Sequence, residues 1–380
     1  MERVFEMDVQ IHELVGAVHE AAWLPWAVQY FFLIAMSVTA LLMSLPGFVF
    51  GREAALPKAR LALMVAVTTG ITAPIALLAD LHQPGRFWEF FVYTHKTSWM
   101  AWGAWVVPSY VGLLILFAWA IHRPAFYRWG QQDWRFAWLF RLLSLGGEAN
   151  WFARPLGMAA GVAALAILVY TGMEVTIVRA RPLWNTPFLP LQFAATGFVG
   201  ALGAMLVLER VLSRDGALEA RLNRNLAAAL AVVGALGLAW FALASSGLSP
   251  RHAEALASVA GFPVWQKIAT WGALSIAVPF VLALVLPRNS GWVTGLIAIH
   301  AAWMFRWTVF MGGQAVPKVG SGLYDALMPT GIAGLMGVIG TFGLWLFLII
   351  AYTTFIPWAE AGQPDDGRGA KAPGHPVRSV

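Results

Sequence analysis

The sequence predicts an all-α transmembrane bundle of about nine spans, with its N-terminus outside and its C-terminus in the cytoplasm. Three observations carry that prediction. First, 59% of the 380 residues are hydrophobic and 12% are charged, about half the ~25% charge of an ordinary soluble domain. Second, apolar runs of about 20 residues recur, each long enough for a hydrocarbon core of about 30 Å. An isolated run of that length satisfies its backbone only as a helix. Third, Lys and Arg are unevenly shared between alternate loops. The loops after the first, third, fifth and seventh spans, with the C-terminal tail, hold sixteen of the 25 basic residues, and the opposite side holds eight. The basic side faces the cytoplasm. The formal charge of +6 therefore reports orientation rather than nucleic-acid binding.

The spans follow in order. The first, 24–50, opens with "WLPWAVQYFF" (23–32). Pro25 suits a first helical turn, and Trp23 and Trp26 suit the membrane interface. The second, 57–80, carries Pro74 as a kink site. The third covers 99–121. The stretch "DWRFAWLFRLL" (133–143) reads as an interfacial amphipathic helix or as a solvated loop segment. The fourth to seventh spans cover 156–178, 188–209, 225–246 and 267–287. The eighth, 291–311, is the least apolar, because it holds His300 and Arg306; the ninth covers 331–356. From Gly362 the chain turns rich in Pro, Gly and charge and reads as disordered. The first 22 residues carry Glu2, Glu6, Asp8, Glu13 and Glu20 against Arg3, which is not the pattern of a cleaved signal peptide. No internal repeat stands out. That weighs against a solute or ion transporter, for which paired broken helices and repeat symmetry are expected.

The loops that fall outside are the unusual ones: "ADLHQPGRFWEFFVYTHKTSW" (79–99), "RARPLWN" (179–185) and "GGQAVPKVGSGLYDALMP" (312–329). An ordered, aromatic surface on one membrane face suits the docking of a partner. Polar residues within the spans line up beneath it. Trp26, Gln29, Tyr30, Leu33 and Ser37 step by three and four along the first span, and Thr69, Thr72, Ala76 and Asp80 do so along the second. In the fourth, Tyr170 and Glu174 are four apart, and a helix continued to Arg181 would bring that residue onto the same stripe. Ionisable groups inside a span cost a few kcal/mol and usually point into the bundle. The expectation is a polar pocket among spans one to four, near the outer surface. A quinone headgroup suits such a pocket: Tyr170 and Gln29 can donate to its carbonyls, and Asp80 with His82 can exchange protons with the outer phase.

These motifs, with "ITAPIALLADLHQPGRFW" (71–88), "WMAWGAW" (99–105) and "YTGMEV" (170–175), resemble the NrfD-like family of polysulfide-reductase membrane subunits, and within it the tetrathionate branch. The resemblance covers about residues 23–190. It implies a quinone-binding anchor that oxidises menaquinol or ubiquinol near the outer surface of the bacterial inner membrane. The partners it implies are a four-cluster, ferredoxin-like iron–sulfur subunit and a molybdopterin catalytic subunit on the outer face. Electron flow in the reverse direction, or service to another sulfur-compound oxidoreductase, stays open. By this likeness Tyr170 contacts the quinone, and Asp80 matches the acidic end of the second span. Gln29 stands where the polysulfide-reductase relative has a histidine, so the hydrogen-bond chemistry there differs. Tyr30 and Trp184 belong to the same cofactor-binding set. Arg181 and Asn185 either position the quinone or hold the iron–sulfur partner. Glu174 relays protons or neutralises Arg181 or Arg306, and Glu174, His300 and Arg306 are candidates for a proton path inward.

The expected organisation is an extracytoplasmic tail (1–23), a quinone-binding bundle (24–210), additional spans (211–357) and a cytoplasmic tail (358–380). The chain has no cysteine to ligate a cluster. His300 is the only histidine well inside an expected span, whereas a membrane b-type haem needs two axial ligands. Haem and iron–sulfur carriers are therefore expected on other chains. This chain would supply half of a redox reaction, with membrane lipids around it and no molybdenum chemistry of its own.

Overall fold

The computed structural model describes residues 22–317, 323–324 and 328–362. Most of the expected tails, 1–23 and 358–380, and Lys318 of the eight–nine loop lie outside the described residues. Among the described residues there is no strand, and nine helices are long and apolar enough to cross a membrane. They run Pro25–Phe48, Leu56–Asp80, Trp99–Gly130, Ala153–Thr176, Leu189–Leu212, Gly216–Ser245, Pro263–Val285, Gly291–Trp307 and Leu335–Phe355. The chain is a multi-pass helical membrane protein.

The first span is the hub. It packs against the second, fourth, fifth, eighth and ninth, and it is buried along nearly all its length. Small residues let the helices close on one another. Any side chain at Gly203 or Gly295 would collide with the backbone of the opposing helix, which pins the fifth span to the eighth. Thr39, Thr68, Thr69 and Thr72 return their hydroxyls to carbonyls of their own helix and so need no outside partner.

Three elements differ from the sequence expectation. The third span runs on to Gly130, past Pro124, and takes in His122. His300 is therefore not the only histidine within a span: His122 is buried and its Nε2 lies 2.6 Å from the Tyr352 hydroxyl of the ninth. The sixth span starts at Gly216, because Asp215 caps it by accepting from the N–H groups of Ala217 and Leu218. The eighth ends in a π-helical turn, Thr308–Gly312, that leads into Gly313–Ala315. The 133–143 stretch contains a short helix, Ala137–Leu143, whose Phe140 packs against Phe126 and Trp129 of the third span.

Candidate functional site

Tyr30, on the first span, faces Tyr170 and Glu174 on the fourth. Tyr30 is 0%, Tyr170 4% and Glu174 8% exposed, so all three are withdrawn from solvent and lipid. The two hydroxyls and the carboxyl interact across the helix pair. Yet Tyr30 Oη and Glu174 Oε2 lack any hydrogen bond of ordinary geometry. A buried polar atom left unsatisfied costs about 1–3 kcal/mol. Such a cluster is a reservoir of unused donors and acceptors for a third group. Tyr30 sits five residues below Pro25, about 8 Å at 1.5 Å per residue. Tyr170 is six from Thr176, about 9 Å from the same face. The third span lies close on the other side: a Cβ at Gly103 would overlap the Tyr170 phenol.

Asp80 and Gln29 are placed by other contacts. Asp80 Oδ1 accepts from the backbone N–H of Leu24 at 3.0 Å. Leu24 is the N-cap residue of the first span and offers no capping side chain, so a carboxylate from the second span serves instead. His82 is exposed and stands within electrostatic reach of Asp80. Gln29 is fully buried and turned toward the eighth and ninth spans. Its Nε2 donates to Val338 O at 3.0 Å and Thr341 Oγ1 at 2.6 Å, and its Oε1 accepts from Trp303 Nε1 at 2.8 Å. Trp26 goes the same way, packing at Gly337. The face expected from Trp26 to Ser37 therefore splits. Trp26 and Gln29 look to the ninth span, Tyr30 looks to the fourth, and the Ser37 hydroxyl bonds the Tyr110 hydroxyl of the third at 2.7 Å.

The motif "RARPLWN" interlocks with the end of the eighth span. The fourth span stops at Thr176, so Arg181 does not continue the Tyr170–Glu174 stripe. It donates to the carbonyls of Gln314 at 3.0 Å and Val316 at 2.7 Å. Burial lowers the pKa of its guanidinium, and Tyr324 nearby acts in the opposite sense. Trp184 Nε1 donates to Val309 O at 2.5 Å, taking up a carbonyl of the π turn. Asn185 Nδ2 donates to Thr176 O at 2.5 Å and closes the end of the fourth span. Gln314 in turn holds Trp23 by both backbone groups: Trp23 N donates to its Oε1 at 3.0 Å, and its Nε2 donates to Trp23 O at 2.9 Å. Trp23 and Trp184 meet edge to face, with Phe310 stacked on Trp23. This knot closes the face of the bundle above Tyr30.

The three groups considered for an inward proton path are not brought together. His300 accepts from Trp271 Nε1 at 3.2 Å on the seventh span. Arg306 is fully buried and donates to Thr196 Oγ1 and, at 2.7 Å, to Phe193 O on the fifth. Neither bonds Glu174, and among the described residues the only ion pairs are Arg86–Glu89 and Arg128–Glu360. Glu174 thus neutralises neither Arg181 nor Arg306. Periodicity did not point to Gly103, Tyr110 or His122. Gly103 inside the repeated Trp pattern of "WMAWGAW" was the one available signal of a close approach.

A family model described as "Polysulphide reductase, NrfD" matches residues 14–318. The chain is 32% identical over 344 residues to a tetrathionate reductase subunit of Salmonella typhimurium, an alignment that covers 90% of this chain and 94% of that one. It is 27% identical over 147 residues to a polysulfide reductase subunit of Wolinella succinogenes, covering 39% and 44% of the two chains. The match takes in the first eight spans, the Tyr30–Tyr170–Glu174 cluster and the knot that closes it, and on that extent the chain belongs to the NrfD polysulphide reductase family.

Proposed function

We propose that this chain is the quinone-reactive membrane anchor of a molybdopterin oxidoreductase in the bacterial inner membrane, with its reactive site at Tyr30, Tyr170 and Glu174. The observation that carries the reading is the pair of unsatisfied buried atoms, Tyr30 Oη and Glu174 Oε2, on either side of the Tyr170 hydroxyl. The identity of the relatives, one a subunit of a tetrathionate reductase and the other of a polysulfide reductase, supports a role as one subunit of a reductase complex.

Quinol supplies two electrons and two protons. The Tyr170 hydroxyl holds one ring oxygen by a hydrogen bond. Tyr30 orients the Tyr170 hydroxyl from the first span. Glu174 takes the two protons one after the other, one with each electron removed, and passes each toward the face that carries Trp23 and Asp80. Asp80 and His82, at the rim, exchange them with water. Electrons leave one at a time to an iron–sulfur subunit docked on that face. The distribution of Lys and Arg supports assigning that face to the outside. For the headgroup to enter, the Tyr170 ring withdraws from its seat on Gly103.

The test uses the intact complex. Tyr170→Phe and Glu174→Gln should each lower turnover driven by a quinol analogue at least about tenfold, or 1.4 kcal/mol in the barrier. Turnover driven by a soluble dye that reduces the catalytic subunit directly should stay unchanged. Normal quinol turnover in both variants would overturn the site. Dye activity with electrons flowing only into the quinone pool would reverse the direction.

A further inference from the structure

A cavity of about 870 Å³ lies away from the Tyr170 cluster, between the fifth, sixth, seventh and eighth spans. It opens sideways, toward lipid. Val264, Trp271 and Phe241 on its walls are 50%, 52% and 55% exposed, on the two spans that are least buried in the bundle. Its walls are apolar except at particular points. Gln266 and Lys267 stand near one end, just after Val264 and Trp265 on the first two turns of the seventh span, and Ser275 and Ile276 at the other. Lys267 and Ile276 are nine residues apart, about 14 Å of helix. That is close to half of a hydrocarbon core of about 30 Å, so the part of the cavity between Lys267 and Ile276 is about one leaflet deep.

The charge on its lining has one sign. No Asp or Glu is among its lining residues, whereas Lys267 is. Behind the wall lies Arg306, bonded to Thr196 and Ala302, both of which line the cavity. Arg306 is fully buried, its Nε has no partner, and among the described residues no carboxylate pairs with it. In a low-dielectric setting such a charge acts over many ångströms. The two cations are also at similar depth. The Trp271–His300 bond and the seat of Trp265 on Gly312 set the antiparallel register, which puts Lys267 level with the stretch from Met304 to Phe310.

We propose that this cavity seats one anionic phospholipid, with an acyl chain along the seventh span and its phosphate at Lys267. A leaflet-deep slot with lateral access accepts an acyl chain, and the uncompensated positive field selects the headgroup.

The full-length protein, purified in mild detergent after incorporation into vesicles of phosphatidylglycerol or phosphatidylcholine, is examined by native mass spectrometry. One phosphatidylglycerol should stay bound per chain, with a preference over phosphatidylcholine of about fivefold, the size expected of one basic residue at a lipid surface. Lys267→Gln should remove the preference and Lys267→Arg should keep it. Gly272→Leu points into the cavity, where a Cβ meets nothing within 4 Å. It should abolish retention of either lipid without lowering the melting temperature. Equal retention of both lipids, no retained lipid, retention that survives Gly272→Leu, or a retained quinone in place of lipid would each overturn the proposal.

Discussion

The carboxylate of Asp80 holds the backbone N–H of Leu24 at 3.0 Å, so the last residue of the second span caps the first turn of the first. A residue placed where protons would leave the protein thus also fastens two helices together. The two roles separate by substitution. Asp80→Asn keeps an oxygen acceptor and should stay within about 0.5 kcal/mol of the parent in thermal unfolding. Asp80→Ala should lose about 1 kcal/mol, the usual value of a helix cap. If proton exchange uses Asp80, quinol-driven turnover falls in both variants; if the carboxylate only caps, turnover follows stability and Asp80→Asn is normal.

Gly103 admits the Tyr170 ring, and a methyl group there would occupy the same space. Gly103→Ala should displace Tyr170, cost about 1–3 kcal/mol as overpacking does, and suppress quinol-driven turnover while dye-driven turnover persists. Gly112, on the same helix, has nothing within 4 Å of a built Cβ. Gly112→Ala is the matched control and should leave both activities alone.

On the opposite face, Glu360 ties the C-terminal segment to the third span. It accepts from Arg128 Nη2 at 2.8 Å and from Trp129 Nε1 at 2.9 Å, and Arg60 Nε donates to Ala361 O at 2.9 Å. Glu360→Ala leaves a half-buried guanidinium and an indole N–H without their acceptor. The melting temperature in detergent should fall by an amount equivalent to about 2 kcal/mol, and quinol-driven turnover at low temperature should be unaffected.

His252 lies in the short helix Pro250–Ala257, sandwiched between Phe188 and Trp240, with Nδ1 2.7 Å from Ser249 Oγ. Burial lowers its pKa below the ordinary histidine value. The unfolded chain therefore binds a proton that the folded chain refuses, and stability is lost as pH falls through the unfolded value of about 6.5. Melting curves between pH 8 and pH 5 should show that decline, and His252→Gln should flatten it.

The nine spans were legible from composition and length, and so was the placing of Tyr170 and Glu174, four residues apart, on one face of a helix. The direction in which Gln29 points was not. Its helical face was readable, but that face meets the ninth span, more than 300 residues away in sequence. Arg181 shows the same limit: eleven residues from Tyr170 is three helical turns only if the helix continues, and it stops at Thr176. There the chain turns toward the carbonyls of Gln314 and Val316 instead.

What the sequence by itself determined is therefore the set of segments that enter the membrane, because lipid demands a long, apolar, internally hydrogen-bonded helix whatever surrounds it. What only the tertiary structure decided is which of those helices is central. The most apolar 18-residue windows of the first and sixth spans have mean hydropathies of 2.0 and 2.3, yet 72% of the first window and 17% of the sixth is buried. Hydropathy measures separation from water, and a lipid tail and a neighbouring helix provide it equally. Close packing at small residues, and a few buried polar groups that must find partners, choose between them.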